Sequence, residues 1–495
     1  MDFPIKKSAK FPIKIKPNFQ IVLRQIPKFI FEIDLNYKEI SYFCKKIQCM
    51  EYKNRIADQL LRDKLEAMGA VLIEGPKACG KTTTAEQQAK SVIYMDDPTK
   101  QEQYRQMAQT NISFLLEGET PRLIDEWQEV PQFWDAIRFE VDHRDEDGQF
   151  MLTGSAVPVE AKKIHHTGTG RYGWLTMRPM SLWESGDSTG EISLSDLFLT
   201  PDKIGALNKL TLPMLAFVVC RGGWPKALQK KTEKAALLQA TEYYKAITNS
   251  DISRVDNVKR DAERAKRIMR SYARHQGSQA SIATILADIS TNEPEDVSDE
   301  TIDAYLTALR KIFVIEDMPA WNPNLRSKTA VRTSNTRYYV DPSVGVAALG
   351  LGPNDLINDL NTFGLFFETM CVRDLRVYAD ALDGSVYHYR DKNGLECDAV
   401  VHLRNGSYGL IEIKLGGEKL IEDGAKTLTA LSNIIDTSRM KAPAFCMVLT
   451  GVGDFAYKRT DGVYVVPIGC LKNYIILIVS VLHKLYHLSL SLHCF

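Results

Sequence analysis

The chain has 495 residues, more than one hydrophobic core usually supports, so we expect about two to four domains. Its 62 basic and 62 acidic side chains balance, which excludes a global field that would attract nucleic acid or a membrane, so any such surface must be local. The nine cysteines form no C-x-x-C pair, which excludes a disulfide framework and a zinc site and predicts a reducing, cytoplasmic location.

Both ends of the chain differ from its middle. Residues 1–50 are rich in Lys and Arg and lack a small-residue cleavage site, so they are not a signal peptide. We predict that they are an extra segment outside the fold and that Met50 is a natural start. Residues 471–495 are predicted to be an apolar tail, whose uninterrupted run is too short to span a membrane.

The first predicted domain, residues 51–225, contains a nucleotide-binding motif. An apolar strand, Ala70 to Ile73, is followed by G-x-x-x-x-G-K-T and then by a helical pattern up to Lys90. In this motif backbone N–H groups wrap phosphates, the lysine contacts the β- and γ-phosphates, and the threonine hydroxyl binds Mg²⁺. The predicted ATP-binding residues are Gly75, Pro76, Lys77, Ala78, Cys79, Gly80, Lys81, Thr82 and Thr83.

Two further strands are predicted to complete this site. The first, from Arg122, ends in Asp125 and Glu126, and we expect Asp125 to hold Mg²⁺ and Glu126 to orient and deprotonate the attacking water. The second, Gln149 to Ser155, ends in small polar residues. Thr153 or Ser155 is then either a sensor of the γ-phosphate or part of a simple strand-terminating turn.

These segments, with Gly170-Arg171 and Arg178-Pro-Met-Ser-Leu-Trp-Glu184, resemble the AAA-type prokaryotic ATPases that carry a DUF4143 C-terminal region. Gly222-Gly223-Trp224-Pro225 is similar to a turn of that family. The resemblance implies a catalytic role for Arg171, facing the γ-phosphate in cis or in trans. A surface salt bridge is the alternative for this residue. The resemblance also implies a homo-oligomer.

The second predicted domain, residues 226–335, is a helical, winged-helix-like segment. Two short helices, Ser281 to Asp288 and Ser298 to Leu309, precede a strand-like run from Phe313 to Asp317. Acidic residues open the second helix, so we expect a packing or partner module rather than a reader of the major groove. DNA or RNA is predicted to contact local basic segments, namely Arg254 to Arg274 or Arg326, Lys328, Arg332 and Arg337, for which a solvated surface is the alternative.

The third predicted domain, residues 336–470, contains a set of carboxylates. Glu368 lies in an apolar helix, Asp398 follows a hairpin turn, and Glu412 and Lys414 share one face of a strand. The set resembles the PD-(D/E)xK nuclease-like fold, to which DUF4143 is similar. The resemblance implies Glu368, Asp398 and Glu412 as ligands of Mg²⁺ and Lys414 as a catalytic residue.

The predicted architecture is therefore α/β: a P-loop, AAA-like parallel-sheet domain, a winged-helix-like segment, and a restriction-endonuclease-like domain. The predicted function is that of a Mg-dependent ATP hydrolase that controls a nuclease-like domain. The alternative is a nucleotide-dependent switch whose C-terminal domain is a non-catalytic binding module.

Overall fold

The computed structural model describes residues 52–155, 167–199, 204–292, 297–326 and 331–473. The predicted N-terminal segment, Met50, Lys328 and the apolar run after residue 473 lie outside the described residues. The described residues from Lys53 onward form one compact unit.

The first part of this unit is built on a parallel sheet with the strand order β2-β3-β4-β1-β5. Val71 and Ile73 point into one apolar core and Ala70 and Leu72 into another, which explains the unbroken apolar run of a central strand. The strands are β1 (Ala70–Glu74), β2 (Ser91–Tyr94), β3 (Arg122–Asp125), β4 (Phe150–Gly154) and β5 (Tyr172–Thr176).

Short helices connect and cover these strands. The helix after the nucleotide motif ends at Glu86, so it is shorter than the pattern up to Lys90 predicts. The helices are α1 (Ile56–Ala67), α2 (Lys81–Glu86), α3 (Gln101–Asn111), α4 (Ser113–Leu116), α5 (Phe133–Arg144) and α6 (Leu182–Ser185).

The middle part of the chain is largely helical. Between α6 and the first long helix lie β6 (Ile192–Ser193), α7 (Leu194–Leu199) and β7 (Ala206–Leu207). The helices that follow are α8 (Leu212–Arg221), α9 (Pro225–Leu228), α10 (Glu233–Ala246), α11 (Ile252–Arg254), α12 (Ala262–Arg274), α13 (Ile282–Asn292) and α14 (Asp299–Lys311), with a π-helical turn at Ile247–Asp251. In place of the strand expected from Phe313, the structure has isolated bridges from Ile315 to Tyr339 and from Met318 to Thr336.

The C-terminal part surrounds a mixed sheet with the order β7-β12-β13-β11-β10-β9-β8. Its helices are α15 (Pro342–Leu349), α16 (Pro353–Asn358), α17 (Leu360–Asp380) and α18 (Glu418–Ile434). Its later strands are β8 (Gly384–Arg390), β9 (Glu396–Leu403), β10 (Tyr408–Lys414), β11 (Phe445–Thr450), β12 (Phe455–Lys458) and β13 (Tyr464–Pro467).

Two short strands join regions that are far apart in sequence. β7, which lies within the range 51–225 predicted for the ATPase core, pairs with β12 in the C-terminal sheet. β14 (Leu471–Lys472), at the start of the predicted tail, pairs with β6. Each pairing needs only two residues, which is too little for a sequence pattern to reveal. Within the described ranges no helix is both long and apolar enough to cross a membrane.

Candidate functional site

The nucleotide motif forms a tight loop between β1 and α2. Gly75 has a φ of +147°, and a Cβ atom there would lie 2.1 Å from the carbonyl oxygen of Met177. Gly80 has a φ of +107°, which also favours glycine. The Lys81 ammonium folds back and donates to the carbonyls of Gly75 and Pro76, at 2.9 Å each. The loop is therefore held in shape before any phosphate arrives.

The strand register brings the polar ends of β3 and β4 to this loop. Asp125 is opposite Thr153 in the sheet, and the Thr153 hydroxyl donates to its carboxylate. The Thr82 hydroxyl donates to the same oxygen of Asp125 at 2.7 Å. Burial raises the pKa of Asp125, while the two hydroxyls oppose this. A hydroxyl and a carboxylate in contact are oxygen donors of the kind that Mg²⁺ prefers, so these residues fit that ion.

Glu126 lies one residue beyond the strand in a left-handed conformation, with a φ of 54°. A non-glycine residue in this region is uncommon and is found often at active sites. The Gln128 amide donates to its carboxylate, and the Ser155 hydroxyl lies 3.4 Å away. Burial raises the pKa of Glu126, and the hydrogen bond from Gln128 partly opposes this. Thr153 thus contacts Asp125, and Ser155 contacts Glu126.

The Gln128 contact leads to a pH prediction. We expect Gln128→Leu to raise the pKa of Glu126 further, because the amide stabilises the charged carboxylate. If Glu126 must be ionised to accept a proton, the acid limb of the kcat profile will move to higher pH. Steady-state phosphate release from pH 5 to 9 measures this. Gln106→Leu on the exposed face of α3 is the control, and an unmoved acid limb in Gln128→Leu would contradict the assignment.

Arg171 does not lie near the phosphate loop of its own chain. Its carbonyl accepts a hydrogen bond from Ala70, at the end of β1 opposite to the loop, about 16 Å away at strand spacing. Its guanidinium contacts the Asp142 carboxylate at 2.7 and 3.3 Å on the surface. The cis role implied by the resemblance is therefore wrong. Arg171 lies at the amino ends of the parallel strands, whereas the phosphate loop lies at their carboxyl ends. A role in trans stays a prediction.

The structure adds one residue that the sequence analysis missed. Arg55, at the start of α1, is buried and donates to the Glu184 carboxylate at 3.0 Å, to the Cys79 carbonyl at 2.9 Å and to the Arg178 carbonyl at 2.8 Å. Glu184 also caps α6, because it accepts hydrogen bonds from the Ser181 backbone and hydroxyl. The Ser181-x-x-Glu184 spacing signals the cap, but nothing in the sequence points to Arg55.

The C-terminal set also comes together in space. The Lys414 ammonium lies 2.6 Å from Glu412 and 3.1 Å from Asp398, and the Ile413 N–H donates to Asp398 at 2.7 Å. Glu368, from α17, accepts a hydrogen bond of 2.5 Å from the Tyr338 hydroxyl. One oxygen of the buried Glu412 carboxylate has no hydrogen-bond partner.

Burial dominates the electrostatics of this C-terminal set. Burial and the nearby Asp398 charge raise the pKa of Glu368 and of Glu412 to about 8 each, and Lys414 opposes both shifts. Burial lowers the pKa of Lys414, but Asp398 and Glu412 more than offset this and raise it overall. The group is thus a partly neutralised acidic cluster around one ammonium.

This arrangement does not fit the predicted metal centre. In the part of the chain that the structure describes, no group of three or more His, Cys, Asp or Glu side chains is placed to hold a metal ion. The Lys414 ammonium lies between Asp398 and Glu412, where a cation would have to bind, and Glu368 is held by Tyr338. The set Glu368, Asp398 and Glu412 is therefore not assembled as Mg²⁺ ligands here.

The basic segments proposed for nucleic acid are largely used within the protein. Arg337 donates to Asp317 and to the Ala280 carbonyl, and Arg326 donates to the Thr437 hydroxyl. Along the other segment, Arg260 pairs with Asp256 and Arg274 with Asp288. A side chain already paired gains less from a phosphate, so these contacts argue against nucleic-acid binding by these arginines, and the partner stays a prediction.

Three protein families match successive parts of the chain. An AAA domain family matches residues 68–185, a domain of unknown function (DUF8612) matches residues 213–355, and a second one (DUF4143) matches residues 363–471. The resemblance to AAA-type ATPases with a DUF4143 region is confirmed in these two domains. The nuclease-like nature of DUF4143 and the winged helix stay predictions.

Whole proteins with similar sequences are known from mycobacteria. The uncharacterized proteins Mb2031c of Mycobacterium bovis and Rv2008c of Mycobacterium tuberculosis are each 23% identical over 382 residues, which cover 76% of this chain and 77% of theirs. The structure of the Aeropyrum pernix ORC1 protein in complex with DNA aligns at 14% identity with a TM-score of 0.21, over 63% of this chain and 95% of that one, a likeness too low to support an argument. The chain therefore contains an AAA domain, which supports ATP binding, followed by a DUF8612 and a DUF4143 domain.

Proposed function

We propose that this protein is a Mg-dependent ATP hydrolase whose nucleotide site controls the C-terminal domain. The observation that carries the proposal is the contact between Thr82 and Asp125 beside Lys81 and Glu126. The loop amides and Lys81 would bind the phosphates, and Thr82 and Asp125 would hold Mg²⁺, which neutralises charge as it develops on the phosphoryl group. Glu126 would orient the attacking water and accept its proton.

Lys81→Ala tests this proposal directly. We expect turnover to fall by about 100-fold or more, because the site would lose the ammonium that neutralises charge on the phosphates. Mg-ATP affinity, measured with a fluorescent ATP analogue, is expected to fall as well. Lys90→Ala, an exposed lysine of the same region, is the control. Unchanged turnover in Lys81→Ala would show that the Lys81 ammonium, and with it this loop, is not the site of hydrolysis.

We further propose that the C-terminal domain has a nuclease-like active site. The support is the type and proximity of its side chains, and the unpartnered buried oxygen of Glu412. The alternative, a binding module without catalysis, is favoured by the ammonium of Lys414 between the two carboxylates. A nuclease would need a nucleotide-driven rearrangement of this cluster, whereas a binding module would not.

A cleavage assay separates these two functions. The full chain is incubated with linear, circular and single-stranded DNA and with RNA, with Mg²⁺ or Mn²⁺, with and without ATP. The nuclease predicts cleavage that falls about 100-fold or more in Asp398→Asn and in Lys414→Ala, because the cluster loses a member. Lys441→Ala, an exposed lysine of the same domain, is the control. Absence of cleavage in every mixture, with ATPase activity intact, would establish the binding module instead.

A further inference from the structure

The middle segment of the chain contacts the phosphate loop directly. The Lys77 ammonium, inside the loop, lies 2.7 Å from the Asp251 carboxylate at the end of the π-helical turn. The side chain of Asp251 is 12% exposed and that of Lys77 is 46% exposed. Pro225 also approaches the loop, since a Cβ at Gly80 would lie 3.6 Å from its ring. A carboxylate of one domain is thus held against the anion-binding loop of another.

This placement of Asp251 opposes the binding of a polyphosphate. The loop amides and Lys81 attract phosphate, while a mostly buried carboxylate nearby repels it. The charge on ATP is also larger than that of Asp251, so Lys77 gains by exchanging the carboxylate for phosphate. The Lys77–Asp251 pair and bound ATP therefore compete.

The same middle segment covers part of the C-terminal site. Residues 275–279, here named the cover loop, follow α12 directly. Gly277 in this loop has a φ of +67°, and a Cβ there would lie 2.8 Å from a carboxylate oxygen of Glu368. Gln276 accepts a hydrogen bond from Thr369, on the same helix as Glu368, and Gln279 contacts His388 of β8. The cover loop thus closes over Glu368.

One helix connects the two contacts. Only the short helix α11 and a loop separate Asp251 from α12, whose 13 residues span about 20 Å and end at the cover loop. The inner face of α12 is buried, and the Met269 carbonyl accepts a hydrogen bond from the Tyr339 hydroxyl. A packed helix of this kind moves as one body, so a shift at one end is carried to the other.

We propose that ATP displaces Asp251 from Lys77 and that the resulting movement of the middle segment withdraws the cover loop from Glu368. The proposal rests on the ATP binding proposed above and adds its regulation of the C-terminal site. It also accounts for the closed arrangement of that site, in which Glu368 is held by Tyr338 and lies beneath Gly277.

The first test measures ATP affinity. Asp251→Asn keeps the shape of the side chain and removes its charge, so we expect the Kd for Mg-ATP to fall about tenfold. Asp251→Glu, which keeps the charge, is expected to stay near the wild-type Kd. Asp303→Asn, an exposed carboxylate of the same segment, is the control. An Asp251→Asn protein that folds normally, by its thermal melt, and binds ATP no more tightly would overturn the competition.

The second test measures amide hydrogen exchange of the cover loop by mass spectrometry. In Glu126→Gln, ATP is expected to speed exchange at residues 275–279 several-fold relative to the nucleotide-free protein. In Asp251→Asn, exchange there is expected to be faster without ATP. If ATP binds and exchange at the loop is unchanged, the coupling is wrong. If ATP does not bind, the proposed hydrolase fails instead, and the nucleotide-free Asp251→Asn comparison still decides the coupling.

Discussion

Glu126→Gln is expected to reduce the kcat for ATP hydrolysis by about 100-fold or more, while Mg-ATP still binds with near wild-type affinity. Removing a general base typically costs this much, because the amide cannot accept the proton of the attacking water. The substitution is isosteric, so the amide can keep the contact that Glu126 makes with Ser155 and need not disturb the loop. Phosphate release in the steady state measures kcat, and a fluorescent ATP titration measures binding.

Glu129→Gln is the matched control for that experiment. Glu129 lies three positions further along and pairs with Arg105 on the surface. We expect its substitution to leave kcat within about twofold, since exposed pairs contribute little. A Glu126→Gln protein with turnover within about threefold of wild type would show that another group accepts the proton.

Arg373→Met is expected to destabilise the protein by about 3–5 kcal/mol, the usual cost of breaking a buried ion pair. Arg373 is buried on α17 and donates to Asp341 at 2.8 Å and to Asp374 at 2.7 Å. The same carboxylates accept the backbone N–H groups of Gly223 and Leu182. Without the arginine, two buried charges would lose their main counter-ion, and the links between all three matched domains would weaken.

The pH dependence of that effect has a definite sign. In the wild type, burial raises the pKa of Asp374 to about 6 although Arg373 opposes this. Removing Arg373 raises the folded-state pKa further above the unfolded value, so the variant loses stability as pH rises from about 4 to above 6. Urea denaturation at pH 5 and pH 8 measures both effects. Arg439→Met, whose pair with Asp436 lies on the surface, is expected to have little effect on stability, because exposed ion pairs contribute little. A similar cost for both variants would contradict the prediction.

The nucleotide site could be predicted because its residues are set by local patterns. The strand, the loop and Lys81 are neighbours in sequence, and Asp125 ends a second apolar strand. Parallel strands bring their carboxyl ends to one edge of the sheet, so the meeting of Thr82, Asp125 and Thr153 follows from those patterns. The same geometry rules out the cis role predicted for Arg171. This residue precedes β5 and therefore lies at the amino ends of the parallel strands, opposite to the phosphate loop.

The contacts between residues far apart in the sequence could not be predicted in this way. Arg55 meets Glu184 across 129 positions, and Lys77 meets Asp251 across 174. A single charged residue has no periodicity and many complementary partners in a chain with balanced charge. Which partner it meets depends on how the helices pack, a long-range property that no short segment contains.

The sequence by itself thus determined the chemistry of the phosphate loop and the residue types of the C-terminal set. Tertiary structure alone decided the state of that set, with Lys414 between two carboxylates and Glu368 beneath Gly277. The physical reason is that backbone conformation and side-chain type are local, whereas burial, which raises the pKa values of Glu368 and Glu412 to about 8, is created only when distant segments pack together.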